Sequence, residues 1–188
     1  MERKMENKPF KLGIMVGRFQ MIHSGHEFMI NRTLEICDEV GIFIGSSQES
    51  GTQKNPFSYE IRRDLLKEIY GDKIKIFPLP DIGVGNTSKW GDYVLKNVCD
   101  RFGGYPDLIA SGKESRRIDW LSSEDGNRIF ELYIPKTIEI SASEMRSLMI
   151  EKNFEEWKKY SNPKIWDKFD FLREIVIHSK NNMKTSSI

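Results

Sequence analysis

The chain is poor in cysteine, with two among 188 residues, Cys37 and Cys99. A lone pair this far apart excludes a disulfide framework and suits reduced, buried thiols, each read here as part of a helix. An excess of one charge is also missing. The 29 Lys and Arg against 28 Asp and Glu leave a formal charge of +1, so no overall field draws the molecule to nucleic acid or an anionic membrane, and any basic site must be local. Long apolar runs are missing too. Leu12 to Val16 stops at Gly17 and Arg18, too short for the core of a secretion signal behind the charged start Met1 to Lys11. Nothing approaches the roughly 20 apolar residues of a membrane-spanning helix. Internal repeats and low-complexity tracts do not occur. These absences predict a folded cytoplasmic protein of about one domain, without a nucleic-acid or membrane partner.

What is present is alternation. From Phe10 onward, short β-rich apolar runs alternate with segments of helical period, the pattern of an open parallel α/β sheet with helices on both faces. Strands are expected at Leu12 to Val16, Val40 to Ile44, Ile74 to Phe77, Leu108 to Ala110 and Ile129 to Ile134. The first helix should start near Gly25, with Ile30, Leu34 and Cys37 on one face. The second runs from Ser58 to Gly71 and buries Ile61, Leu65, Leu66 and Ile69, and the third carries Trp90, Val94, Leu95 and Val98. Two further helices, Ser141 to Lys152 and Pro163 to Ile177, form a small C-terminal helical cap, the second capped by Asn162. The expected organisation is an α/β domain at 10–150, a helical extension at 151–178 and flexible tails at 1–9 and 179–188.

The segment most informative about chemistry is GRFQMIHSGH, Gly17 to His26, between the first strand and the first helix. Ligands of open α/β sheets sit at the carboxyl ends of strands, and a helix start offers unpaired N–H groups to an anion. Gly17 and Gly25 allow close backbone approach, Arg18 adds a fixed charge, and His23 and His26 are spaced to face the same way. Two surface histidines, or half of a zinc site, are the competing readings. Zinc would need further ligands, and Cys37, Cys99, His178 and the carboxylates show no recognisable spacing. Far downstream, in ISASEMR, Ser141 and Glu144 form a capping box. Arg146 falls in the first helical turn, where a cation opposes the macrodipole unless an anion is present, so this helix start is a candidate clamp for polyphosphate. The glycines of IGVGN, Ile82 to Asn86, lack the spacing of a dinucleotide fingerprint. Arg116 and Arg117 read as part of a solvated helix, with contact to phosphates as the competing reading.

GRFQMIHSGH together with ISASEMR resembles the nucleotidyltransferase α/β phosphodiesterase superfamily, whose signatures are HxGH and an ISxTxxR-like helix start. SSQESGTQKNPFS, the stretch from Asp81 to Trp90, and SSEDG at Ser122 to Gly126 are similar to its archaeal-type nicotinamide mononucleotide adenylyltransferase branch. The resemblance covers roughly Leu12 to Met149. It departs from the family at Met21 and Ile22, which replace Pro-Phe. Asn86 stands one position earlier than the family's asparagine, Lys113 replaces an asparagine, and Lys54 replaces an arginine.

The resemblance implies a Rossmann-like fold that transfers AMP from ATP to nicotinamide mononucleotide, giving NAD and pyrophosphate without a covalent enzyme intermediate. It implies His23, His26 and Arg146 as catalytic residues. ATP is expected at Gly17, Arg18, Phe19, Gln20, Gly25, Ile140, Ser141, Ala142 and Ser143. The acceptor is expected at Ser46, Lys54, Asn55, Asn86 and Trp90, with Trp90 stacked on the nicotinamide ring; a core tryptophan is an equally open reading. Mg²⁺ is expected on the ATP phosphates, with no protein metal site, and relatives suggest a homo-oligomer. Nicotinate mononucleotide, flavin mononucleotide or phosphopantetheine as acceptor, or a catalytically silent nucleotide-binding regulator, are the alternatives.

Overall fold

The computed structural model describes residues 8–113 and 116–185, with side chains for 8–113 and 118–180. Strands β1 (Phe10–Gly17), β2 (Cys37–Gly45), β3 (Lys75–Leu79), β4 (Leu108–Ser111) and β5 (Phe130–Tyr133) form one parallel sheet in the order β3-β2-β1-β4-β5. Helices α1 (Ser24–Ile36), α2 (Tyr59–Tyr70) and α3 (Ser88–Phe102) are the crossovers between the first four strands, and the short α4 (Arg116–Trp120) and α5 (Ser123–Arg128) lie between β4 and β5. Right-handed crossovers that build outward from β1 in one direction and then in the other must place their helices on opposite faces. The core is divided accordingly. Met15, Ile42 and Ile44 pack with Ile30 of α1 and Leu65, Leu66 and Ile69 of α2, whereas Ile14 and Phe43 pack with Trp90, Val94, Leu95 and Val98 of α3. Alternate residues of β1 and β2 therefore serve different faces, and both faces are apolar, as a fully covered parallel sheet requires.

The C-terminal cap closes the first face through α6 (Ala142–Ile150), α7 (Phe154–Lys159) and α8 (Phe169–Thr185). Met145, Met149, Trp157, Phe169, Leu172 and Val176 join the same cluster as the sheet residues. Polar contacts fasten this cap to the start of α1: the Ser24 N–H donates to the Tyr160 carbonyl at 2.8 Å, and Asn162 Nδ2 donates to Glu27 Oε2 at 2.6 Å. Burial raises the Glu27 pKa against that hydrogen bond.

The expected fold class, five strands and first three helices are found. Four local expectations are corrected. Cys37 is not helical: it starts β2 opposite Phe10, with φ −119° and ψ 137°, and its N–H donates to the Thr33 carbonyl. A buried strand start is as apolar as a helix face, so the i, i+4, i+7 pattern ran one residue too far. Helix α7 had no counterpart, although Asn153 caps it by accepting from the Glu156 N–H at 3.2 Å. Asn162 caps a 3₁₀ turn, Pro163–Lys168, and the α-helix proper begins at Phe169. That helix continues to Thr185, into the expected tail at 179–188. Residues 1–7 and 186–188 of the tails, and the side chains of Arg116 and Arg117, lie outside the described residues.

Candidate functional site

A cavity of about 690 Å³ opens at the carboxyl ends of β1, β2 and β4. This is where the strand order reverses, the place at which an open α/β sheet leaves a crevice. Gly17, Arg18, Phe19, His26, Ser46, Lys54, Asn86 and Trp90 line it, bringing together residues more than seventy positions apart in sequence. Arg18, Lys54 and Lys113 face one carboxylate among the lining residues, Asp81, so the wall favours an anionic ligand.

The histidines are set by α1. His23 is its N-cap, and its Nδ1 accepts the Gly25 N–H at 3.2 Å. A Cβ at position 25 would sit 3.1 Å from the His23 ring, so glycine gives the imidazole room to cap its own helix. Accepting at Nδ1 places the proton of the neutral ring on Nε2. The His26 ring lies 3.9 Å from that of His23 and 4.9 Å from that of Phe19, centroid to centroid. His26 lines the cavity and His23 does not. The His26 Nδ1 is buried and meets no hydrogen-bond partner within the protein.

Burial, with Lys136 in support and Glu144 opposing, lowers the His23 pKa from 6.5 to about 4. Burial and then His23 hold His26 well below the histidine range. Both rings are therefore neutral in the folded protein near neutral pH, while the unfolded chain takes up protons near pH 6.5. The unfolded state binds more protons below that pH, so stability is complete above about 6.5 and falls as pH drops toward 4. Urea unfolding at pH 5 should show roughly 2 kcal/mol less stability from His23 than at pH 7. His23→Gln should lessen the pH dependence, leaving the share of His26, and an equally steep profile in the variant would remove His23 as a source.

The second predicted cluster is adjacent. Ser141 caps α6 by accepting the Glu144 N–H at 3.2 Å, and that capping arrangement lowers the Glu144 pKa. Arg146 and Ser143 line a separate cavity of about 170 Å³. Arg146 reaches the first segment by donating to the Gln20 carbonyl at 2.7 Å, and to Ser143 Oγ at 3.2 Å. Burial and the nearby Arg18 lower its pKa. Ile140, Ser141 and Ala142 line neither cavity.

Several expected ligand residues are hydrogen-bonded within the protein. The Gln20 side chain donates to the Phe57 carbonyl and accepts the Phe57 N–H, both at 3.0 Å, pinning the loop before α2. Asn55 is 1% exposed, and its amide is held by Glu49 within the same loop. Ser46 borders the cavity, but its hydroxyl donates to Asp81 Oδ2 at 2.6 Å. Trp90 belongs to both of its readings, packed in the α3 core and bordering the cavity with one edge. Trp120, not singled out from the sequence, is a second aromatic wall, and its Nε1 donates to Asn86 Oδ1. Asn86 in turn donates to Asp119 Oδ2 at 2.8 Å. An indole just before Ser122 was the available signal, but nothing local connected it to position 86.

The cytidylyltransferase-like family matches residues 14–161. A nicotinamide-nucleotide adenylyltransferase of Thermococcus kodakarensis is 32% identical over 171 residues, covering 88% of this chain and 84% of the relative. The corresponding protein of Thermococcus sibiricus is 34% identical over 145 residues, covering 74% and 73%. The chain belongs to the nicotinamide-nucleotide adenylyltransferases of this family. It is thus a nucleotidyltransferase. Among solved structures, a bifunctional NMN adenylyltransferase/ADP ribose pyrophosphatase from Francisella tularensis, complexed with AMP and a manganese ion, superposes with a TM-score of 0.72 at 23% identity, covering 92% of this chain and 53% of that one. A NadR protein in complex with NAD and AMP-PNP superposes at 0.60 and 18% identity, covering 85% and 46%. The chain spans about half the length of these two solved chains, and at such identities they establish a shared fold. Among the described residues, no group of three His, Cys, Asp or Glu is placed to hold a metal ion. No helix among them is long and apolar enough to cross a membrane.

Proposed function

We propose that this enzyme transfers the adenylyl group of ATP to the 5′-phosphate of nicotinamide mononucleotide, forming NAD and releasing pyrophosphate. The observation that carries this reading is one cavity, at the strand-order reversal, that combines His26, Arg18 and Lys54 with the indole of Trp90. Phosphate-binding groups and an aromatic surface for a planar base are the two halves of such an acceptor's chemistry.

A phosphate oxygen of the mononucleotide attacks the α-phosphorus in line. The bond from that phosphorus to the bridging oxygen breaks, and its electron pair leaves with pyrophosphate. No proton need move, so the protein's work is alignment and charge stabilisation. Holding two anions aligned supplies on the order of 7 to 11 kcal/mol in favourable cases, and each donor aimed at developing charge about 3 to 4 kcal/mol. Neutral His26 and His23 are N–H donors here and not bases, in keeping with their lowered pKa values. Arg146 and Ser143, which line the smaller cavity, hold the outer phosphates, while Arg18 and Lys54 serve the phosphates within the larger one.

Mg²⁺ fits this site as a companion of the nucleotide. Nitrogen donors dominate the polar wall, and the lining carboxylate, Asp81, already accepts from Ser46. Mg²⁺ prefers phosphate oxygens and water, and when bound it neutralises part of the polyphosphate charge.

The test is pyrophosphate release from ATP and Mg²⁺ with nicotinamide mononucleotide, nicotinate mononucleotide, flavin mononucleotide or phosphopantetheine. The expected result is selective release with nicotinamide mononucleotide, accompanied by NAD. Release with another acceptor alone would overturn the substrate, and ATP binding without release would overturn turnover itself.

A further inference from the structure

Arg62 lies on the apolar stripe of α2 beside Leu65, Leu66 and Ile69, and it is 1% exposed. Its four hydrogen-bond acceptors are all main-chain carbonyls. Nη1 donates to Arg18 at 2.8 Å and to Gly45 at 2.9 Å, Nη2 donates to Ser46 at 3.1 Å, and Nε donates to Ser58 at 3.1 Å. Burial lowers its pKa to about 10, with Arg18 pushing the same way and Glu60 opposing, so the group remains cationic at neutral pH.

The placement of these carbonyls is selective. Among the described residues, three non-glycine residues adopt left-handed backbone, and two of them, Phe19 and Ser46, both with φ 48°, line the large cavity. Such conformations are unfavourable for residues with a Cβ and persist where the surroundings hold them. The Gly45 and Ser46 carbonyls belong to the two peptide planes that flank Ser46. The Arg18 carbonyl belongs to the plane that precedes Phe19. A single planar fork thus grips the strained turn after β1 and the strained turn after β2.

We propose that Arg62 is a positioning residue for adenylyl transfer, whose guanidinium clamps the two left-handed turns bordering the cavity so that both strand ends meet the substrates in register. The inference rests on the adenylyl transfer proposed above. The first turn carries Arg18 and puts the Phe19 ring against His26; the second carries Ser46, bonded to Asp81. A lysine supplies the same charge from one point and lacks the fork that spans two strands.

The test is Arg62→Lys, with folding followed by circular dichroism and kinetics measured on the folded protein. Displacement of catalytic geometry by a remote change lowers turnover by about a hundredfold, and kcat should fall this far with much smaller changes in KM for either substrate. Arg62→Ala with guanidinium ion added below denaturing concentration is the second variant. Recovery of kcat supports the clamp, whereas recovered folding without recovered kcat overturns it. Amide exchange at residues 18–20 and 45–47 reads the turns without turnover: faster exchange in Arg62→Lys at both supports the clamp. A folded Arg62→Lys protein with parental kinetics and parental exchange overturns it. Absence of NAD formation by the parental enzyme would instead defeat the adenylyl-transfer reading, leaving the exchange experiment to decide the role of Arg62.

Discussion

His26→Ala should lower kcat by about 100- to 1,000-fold, the usual loss for one donor directed at developing phosphate charge, with little change in the thermal midpoint. The two halves of this expectation have separate causes. His26 borders the cavity, and its Nδ1 makes no hydrogen bond within the protein, so truncation breaks no bond that holds the fold. Its neutral ring offers an N–H donor to the proposed phosphate site, and the variant loses that donor. His23→Ala provides the contrast. It removes the N-cap of α1 as well as a donor, so stability should fall by about 1 kcal/mol along with turnover. Steady-state kinetics and thermal unfolding of both variants check the pair. Parental turnover in His26→Ala would exclude that ring from catalysis.

Gly91→Ala should have the largest effect on the part of the cavity proposed to hold the acceptor. A Cβ at position 91 would lie 1.8 Å from the Trp120 carbonyl oxygen and 2.5 Å from its carbon. Main chain cannot swing aside as a side chain can, so α4 must withdraw from α3. Overpacking of this kind costs about 1 to 3 kcal/mol. The functional consequence is local, because Trp120 borders the cavity beside Trp90 and donates to Asn86. Withdrawal of α4 loosens both. KM for nicotinamide mononucleotide should rise by about tenfold or more, equivalent to the loss of roughly 1.4 kcal/mol of binding, while KM for ATP changes much less. Gly104→Ala is the control, since a Cβ there meets nothing within 4 Å. An equal rise in both constants for Gly91→Ala would place the damage in the fold as a whole.

Much of the proposed phosphate site was legible before the fold. The strand–GRFQ–HxGH–helix succession names a helix start at a strand end, and the structure puts His23 there as N-cap and His26 on the cavity wall. Ser141 and Glu144 capped α6 as their spacing required. Other expected contacts share a feature that spacing does not show. Gln20 and Asn55 sit in segments that border the cavity, yet their amides are used to build those segments. A polar residue near a ligand and a polar residue that holds a loop have the same composition and position in the chain. Their distinction depends on where Phe57 and Glu49 come to lie.

Arg62 is the sharper case. The apolar spacing puts Ile61, Leu65, Leu66 and Ile69 on the buried face of α2 and does not single out Arg62, whose role depends on carbonyls at positions 18, 45, 46 and 58, three of which come from other segments. Trp120 likewise gains meaning from α3, where Gly91 lets its main chain approach.

By itself the sequence determined the alternation of strand and helix, the two helix starts and the residue types able to bind phosphate, because each depends on spacings of two to four residues. Tertiary structure alone decided which of those residues line the cavity, His26 and not His23 among them, and which arginine is spent on the backbone. Those outcomes depend on contacts between segments tens of residues apart, and burial of the shared core, not local spacing, sets them.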